Sequence, residues 1–296
     1  MKKFKFKKID AFTFGSSHGN PAAGVYLNIV SDISDKEMQI IARELKGFVS
    51  EVVFLFPEKD GYFLKYYSSE CEVEFCGHGT VAIMFDLIKN SPNFLNEKVI
   101  DIRVGNEILK IYNQIDENGS IFITAPNPVY PSCSINQNEL ISCLNISPDA
   151  INNNLPIDVI NSGLNTLIVP IMGLNKCLNV RPDQKVLRKY CLDNNIDIVH
   201  VFTSEVSKIT NNYRTRVFAP KYGYLEDPAT GSGNSAFGYY LLKNNLWNGQ
   251  LLNIEQNGEY ESPNLVKLNT IMQDNRLRVL FGGSATLRIE GTYTLN

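Results

Sequence analysis

One stretch of this chain occurs twice. Thr230-Gly231-Ser232-Gly233-Asn234-Ser235-Ala236-Phe237-Gly238-Tyr239-Tyr240-Leu241 aligns without a gap on Cys76-Gly77-His78-Gly79-Thr80-Val81-Ala82-Ile83-Met84-Phe85-Asp86-Leu87, with both glycines, the alanine and the leucine coinciding. In the first copy apolar residues continue at helical spacing through Val81, Met84, Phe85 and Ile88, so the glycine turn opens a helix. Upstream of each copy lie two extended apolar runs, 52–56 and 62–67 in the first half and 198–202 and 213–218 in the second. The chain therefore reads as two versions of one unit. Glycines let backbone amides approach a ligand, and the start of a helix favours an anion. The same pattern also serves as an ordinary turn. If the halves face each other, both positive ends point into one cleft suited to a small carboxylate.

Composition narrows the partners. The 296 residues are enough for a large core and are expected to form two domains. Acidic residues exceed basic ones by 31 to 28, so no excess of positive charge argues for nucleic acid. The lysines of Met1 to Lys8 are followed by no apolar segment of signal-peptide type, and their alternation with Phe4 and Phe6 fits an edge strand. No run is long enough to span a membrane. Six cysteines (Cys71, Cys76, Cys133, Cys143, Cys177, Cys191) with no Cys-x-x-Cys suggest a reducing, cytoplasmic setting and mostly buried thiols. A zinc site is not expected, because only His18, His78 and His200 exist and no two share ligand spacing.

Taken in order, Phe4 to Phe14 is expected to be a strand, followed by a loop through Gly19, Asn20 and Pro21 that could present backbone amides or simply turn. Ser34 and Glu37 form a capping box for a helix through Leu45, closed by Gly47. Glu51 stands at the mouth of an apolar strand; burial there would raise its pKa and make it a usable acid or base, whereas exposure would leave it merely solvated. Glu70, Glu72 and Glu74 alternate and point to water. Residues 99–104, 107–115 and 120–125 read as antiparallel strands, and three prolines in Pro126 to Pro131 mark the domain boundary. Beyond it come helices at 137–143 and 182–193, strands at 157–161 and 166–171, and the apolar strand 198–202, where His200 is expected to be a packed core residue. Asp227, before Pro228, precedes the second glycine turn, where capping competes with a functional role. The tail reads as strands at 252–256, 265–269, 277–281 and 285–293, the last returning to the first domain.

Asp10-Ala11-Phe12 with Gly19-Asn20-Pro21-Ala22-Ala23, Ser50-Glu51, Phe75-Cys76-Gly77-His78-Gly79-Thr80, Phe218-Ala219-Pro220, Glu226-Asp227-Pro228-Ala229-Thr230-Gly231-Ser232, Glu255-Gln256 with Gly258, and Gly282-Gly283 resemble the PhzF (phenazine biosynthesis) family across nearly the whole chain. That resemblance implies an α+β fold of the diaminopimelate epimerase type: two pseudo-symmetric domains, each a sheet wrapped around a central helix, with the active site between them. The domains would be 1–126 with a returning strand at about 286–296, and 127–285. It also implies no cofactor, no metal and a homodimer. The family's characterised member isomerises trans-2,3-dihydro-3-hydroxyanthranilate with a glutamate moving the proton. Carried over, Glu51 would be the acid/base group, with His78 and Asp227 binding or helping to protonate the substrate. Asn20, Cys76, Gly77, Gly79, Thr80, Thr230, Gly231, Ser232 and Gly233 would bind the substrate, with the amides around Gly77 to Gly79 and Gly231 to Gly233 holding its carboxylate. Two positions depart from the family pattern: Gly79, where many relatives carry alanine, and Asn234, where they carry a small apolar residue.

The resemblance also implies that the epimerase branch uses two cysteines, one before each glycine turn. Here the internal alignment places Thr230 opposite Cys76, and a threonine hydroxyl is no base near neutral pH without a base of its own. The expected activity is therefore a cofactor-independent isomerisation of a small cyclic or amino carboxylic acid through Glu51. The alternatives are a cysteine-dependent racemase or epimerase using Cys76, and a metabolite-binding protein without catalysis.

Overall fold

The computed structural model describes residues 1–59, 61–132 and 134–296, so Cys133 of the sequence reading lies outside the described residues. In chain order the elements are β1 (Lys2–Ala11), β2 (Asn20–Tyr26), α1 (Asp35–Glu44), β3 (Glu51–Glu58), β4 (Gly61–Ser68), β5 (Glu72–Val73), α2 (Gly77–Asn90), the single turn α3 (Pro92–Leu95), β6 (Val99–Val104), β7 (Glu107–Gln114), the single turn α4 (Ile115–Asn118) and β8 (Ser120–Thr124). There follow α5 (Gln137–Leu144), β9 (Asp158–Asn161), β10 (Asn165–Pro170), α6 (Leu174–Leu178), α7 (Gln184–Asp193), β11 (Ile198–Thr203), β12 (Tyr213–Phe218), β13 (Glu226–Asp227), α8 (Gly231–Lys243), β14 (Leu252–Gln256), β15 (Asn264–Gln273), β16 (Arg276–Gly283) and β17 (Ala285–Leu295). Two compact units result: Met1–Thr124 with Gly282–Asn296, and Ala125–Phe281.

In the first unit β17, β1, β2, β3, β4, β6, β7 and β8 pair in that order. β2 and β3 are parallel, as are β4 and β6, with α1 and α2 as their crossovers. Parallel neighbours need such crossovers, whereas the remaining pairs are antiparallel, β1 with β17 joining opposite ends of the chain. The sheet curls around α2, which touches β1, β2, β3, β8 and β17. A helix buried from Gly79 through Asp86 is apolar on every side and requires this cover. Its one internal charge, Asp86, is met by the ammonium of buried Lys7 at 2.6 Å. A second layer, with Met38, Ile41 and Ala42 of α1 packed on Phe54 and Phe56, covers the outer face.

The second unit repeats the scheme. β9–β10 and β11–β12 are antiparallel, β10–β11 and β12–β14 are parallel, and β14–β15 is antiparallel. The crossover from β12 to β14 is α8, buried from Gly233 through Leu241 and lying against β9, β10, β11 and β15. The α+β architecture expected of the diaminopimelate epimerase fold, a sheet around a central helix in each unit, is what these pairings describe.

Some local expectations are corrected. β1 is no edge strand: it has β2 on one side and the returning β17 on the other, which satisfies both of its rows of backbone groups. It also stops at Ala11 rather than running to residue 14, because Phe12 adopts a left-handed φ of 61°. α1 ends at Glu44, before Gly47, although its Ser34–Glu37 capping box forms as expected. Residues 115–118 turn into α4 instead of extending β7. Of the described cysteines only Cys71 is exposed, and His200 is a core residue stacked on Phe237. Among the described residues no helix is long and apolar enough to cross a membrane.

A buried ion pair anchors β14 in the second unit. Arg214 and Glu255 lie 2.9 Å apart with both side chains fully buried. Burial opposes ionisation of Glu255, but donors from Ser207, Asn211, Arg214 and Lys208 outweigh it and hold the carboxyl below its ordinary value. The stability this gives is present above the unfolded-state carboxylate pKa and is lost as pH falls through that range and below it. Arg214→Met strands a buried carboxylate and is expected to lower the unfolding free energy by about 3–5 kcal/mol, as read from urea denaturation. A loss under about 1 kcal/mol would show that the pair has no such role.

Candidate active site

The first unit concentrates ionisable side chains at the start of α2. Cys76 is the N-cap of that helix, and its Sγ accepts the amide of Gly79 at 3.3 Å. His78, in the first turn, sets its Nδ1 3.4 Å from Cys76 Sγ and its Nε2 3.2 Å from Glu51 Oε2. Glu51 reaches this turn because β3 begins at Glu51 and pairs with Ala22 of β2 and Ser68 of β4. Its Oε2 is a buried atom with no hydrogen bond of regular geometry, and burial raises the carboxyl from 4.5 to about 7. Such a group is partly protonated and partly ionised at neutral pH.

Neighbouring candidates have defined roles in the packing. Thr80 hydrogen-bonds the Tyr66 hydroxyl at 2.7 Å and donates to the carbonyl of Cys76. Asn20 is buried, with the Ser50 hydroxyl 3.5 Å from its side-chain oxygen. Gly79 explains one departure from the family pattern: a Cβ there would lie 2.8 Å from Val53 Cγ2 and 3.0 Å from Cys76 Sγ. Glycine leaves the room that lets the thiol and imidazole sit together. Gly77 supplies the first residue of the helix, whose first-turn amides as a class have no intrahelical acceptor.

The second unit carries its candidates at the start of α8. Thr230 is the N-cap, but its hydroxyl donates to Asp227 Oδ2 at 2.5 Å instead of capping the helix. Gln256 of β14 ties the turn together: its Nε2 donates to the Asp227 carbonyl at 2.9 Å and to Thr230 Oγ1 at 3.0 Å, while its Oε1 accepts the Thr230 amide. Asn234 extends the chain inward, with Nδ2 2.6 Å from Gln256 Oε1 and Oδ1 3.4 Å from His200 Nε2. A small apolar residue at 234 would remove the link between Gln256 and His200. Gly231 is required by a close approach, since a Cβ would meet the Phe281 ring at 2.5 Å. Gly233 packs at 3.2 Å from Ile198 in the same measure, and Ser232 occupies the position equivalent to His78.

Gln256 and Asn234 were given no role from sequence, although a Glu-Gln pair inside the apolar run 252–256 was a signal that polar groups are buried there. Strand register shows how far the units differ. Val53, Tyr66 and Val73 pair across β3, β4 and β5, while His200, Val217 and Asp227 pair across β11, β12 and β13. By that register the counterpart of Glu51 is Ile198, and that of Asp227 is Val73.

The raised pKa has a stability consequence with a definite sign. The folded state favours protonated Glu51, so its contribution is intact below the unfolded pKa and is lost as pH rises from 4.5 through about 7. Glu51→Gln should therefore gain stability relative to the parent on going from about pH 4 to about pH 8, by at most about 3 kcal/mol. Thermal unfolding at the two pH values checks this, and a difference that does not change with pH would contradict it.

Comparison with known proteins gives the family and the fold. The sequence model described as phenazine biosynthesis-like protein, PhzC-PhzF, matches residues 9–291. A protein of Clostridium acetobutylicum named an uncharacterized isomerase is 31% identical over 255 residues, covering 83% of this chain and 82% of its own length. The Bacillus subtilis protein YfhB, also named an uncharacterized isomerase, is 28% identical over 96% of this chain and 97% of its own. Among solved structures, a PhzF family protein of Bacillus anthracis superposes with a TM-score of 0.86 over all of both chains at 24% identity. A hydroxyproline epimerase of Agrobacterium vitis, solved with trans-4-hydroxy-L-proline, shares the fold at TM-score 0.61 and 12% identity, covering 99% of this chain and 91% of its own.

Proposed function

This chain belongs to the PhzC-PhzF family of phenazine biosynthesis-like proteins, and on that premise we propose that it is a cofactor-independent isomerase of a small carboxylic acid, with Glu51 moving the proton. The observation that carries the reading is Glu51 itself, half-buried beside His78 with its carboxyl raised to about 7 by desolvation. An acid/base group works best when its pKa lies near the working pH, because both of its forms are then available. Ionised Glu51 takes the proton from a carbon next to the carboxylate or conjugated with it. The electron pair of that C–H bond enters the conjugated system, and the same carboxyl then returns the proton to another carbon, so that no co-reactant is consumed.

His78, 3.2 Å from Glu51, is assigned to orienting the carboxyl and passing protons to it. Charge that builds on the substrate is met by the first-turn amides and dipole of α2. Asp227 is assigned as a second ionisable group, steadied by Thr230 and Gln256. Asn20, Cys76, Gly77, Gly79, Thr80, Gly231, Ser232 and Gly233 are assigned to substrate binding. Relatives named isomerases support the reaction class. The shared fold does not choose the substrate, because one fold hosts many reactions. Epimerisation by a thiol pair is disfavoured by Thr230, whose hydroxyl is committed as a donor to Asp227.

Incubation of the protein with a panel of small cyclic and amino carboxylic acids in D₂O tests the reading. A new carbon-bound deuterium is expected in one of them, and Glu51→Gln should slow its appearance by about 10²- to 10⁴-fold. Undiminished exchange in that variant would end the proposal. An equal loss in Cys76→Ser together with intact exchange in Glu51→Gln would transfer the chemistry to the thiol.

A further inference from the structure

Sequence spacing gave no reason to expect a metal, yet the fold assembles a ligand set from two distant segments. One ligand atom each from Glu51, Cys76 and His78 lies within 4.8 Å of the others. We propose that these three residues form a binding site for a thiophilic divalent cation of the zinc class, and that an ion held there blocks proton transfer at Glu51. The site itself stands on the geometry of the first unit alone. Only the inhibitory consequence rests on the function proposed above.

A tetrahedral ion requires the ligand atoms to close in on one another. Bonds of about 2.0–2.3 Å to nitrogen, oxygen and thiolate put neighbouring ligand atoms roughly 3.3–3.7 Å apart. His78 Nε2 is 3.2 Å from Glu51 Oε2 and 4.0 Å from Cys76 Sγ, while Nδ1 is the nitrogen nearer the sulfur at 3.4 Å, so a rotation of the imidazole or of the Cys76 side chain is needed to bring all three to one centre. Glu51 Oε2 is a buried oxygen with no regular hydrogen bond, the kind of atom that a cation would satisfy. A thiolate is the form that binds metal, and Cys76 Sγ stands at the start of α2, where it accepts the Gly79 amide at 3.3 Å.

The donor set also selects the ion. Sulfur, imidazole and one carboxylate suit zinc better than magnesium or calcium, which prefer oxygen alone. Three protein ligands leave a fourth position for water. Binding replaces the thiol proton, which passes to solvent, with a metal–sulfur bond, so affinity rises with pH. With Glu51 and His78 both coordinated, neither is available to accept a proton from substrate. The ion is an inhibitor in this scheme and not a cofactor.

Cobalt(II) is the probe, because a thiolate ligand gives it a near-ultraviolet charge-transfer band. The chelator-treated full chain should bind one cobalt ion with that band, and zinc should displace it. Cys76→Ser should abolish the band; serine is a favoured N-cap, so the helix start survives. His78→Gln gives an independent variant, and both should weaken binding by more than the roughly 10- to 100-fold that follows loss of an outer-shell partner. Cys71→Ser, at the exposed thiol, should change nothing. Absence of the band, its persistence in Cys76→Ser, or several weak ions in place of one would overturn the site. Deuterium exchange with chelator present tests the isomerase separately: exchange without cobalt binding removes only the metal site. Cobalt binding that leaves exchange unaffected removes only the inhibition.

Discussion

The need to surround two apolar helices governs this molecule. α2 and α8 are buried on nearly every face, so neither can lie on the outside of a sheet as an amphipathic helix does. Each is enclosed by strands of its own unit, and the parallel β4–β6 and β12–β14 pairs follow because the helix is the crossover between them. Packing this tight also explains the glycines at the helix starts. At Gly79 and Gly231 a single added carbon would strike Val53 or Phe281. The turns are therefore glycine turns because of close packing.

On that repeated frame the two units have parted chemically. Register makes Ile198 the counterpart of Glu51, His200 the counterpart of Val53 and Asp227 the counterpart of Val73, while the duplicated alignment puts Thr230 opposite Cys76. The first unit collects a carboxyl, an imidazole and a thiol. The second threads neutral donors and acceptors from His200 through Asn234 and Gln256 to Thr230 and Asp227. Buried hydrogen-bond chains of that kind hold a group in one orientation, because any rotation strands a partner. Glu51 is treated the other way: few fixed partners and strong desolvation leave its proton balanced between two states.

Much of the architecture was legible from the order of residues. The helix start at Ser34 carries a side-chain cap that is a local feature. Misread segments had non-local causes. The Lys-Phe alternation of residues 3–8 looked like an edge because nothing nearby in sequence covers it; β17, almost the whole chain away, does. The nearness of Glu51 to Cys76 and His78 was likewise invisible in spacing along the chain, since Glu51 is carried there by the pairing of β3 with β2 and β4. Gln256 was visible only as a polar residue in an apolar strand; what it touches depends on where β14 lies relative to α8.

The sequence by itself determined the duplication, the two glycine-started helices, the family and the inequality of Cys76 and Thr230. These are properties of residue type and short-range order, and they survive in any conformation of the chain. Tertiary structure alone decided that Glu51 is half-buried beside His78 and that its carboxyl rises to about 7. A pKa of this sort is set by the loss of surrounding water, and desolvation depends on what strands and helices from elsewhere in the chain place around the group.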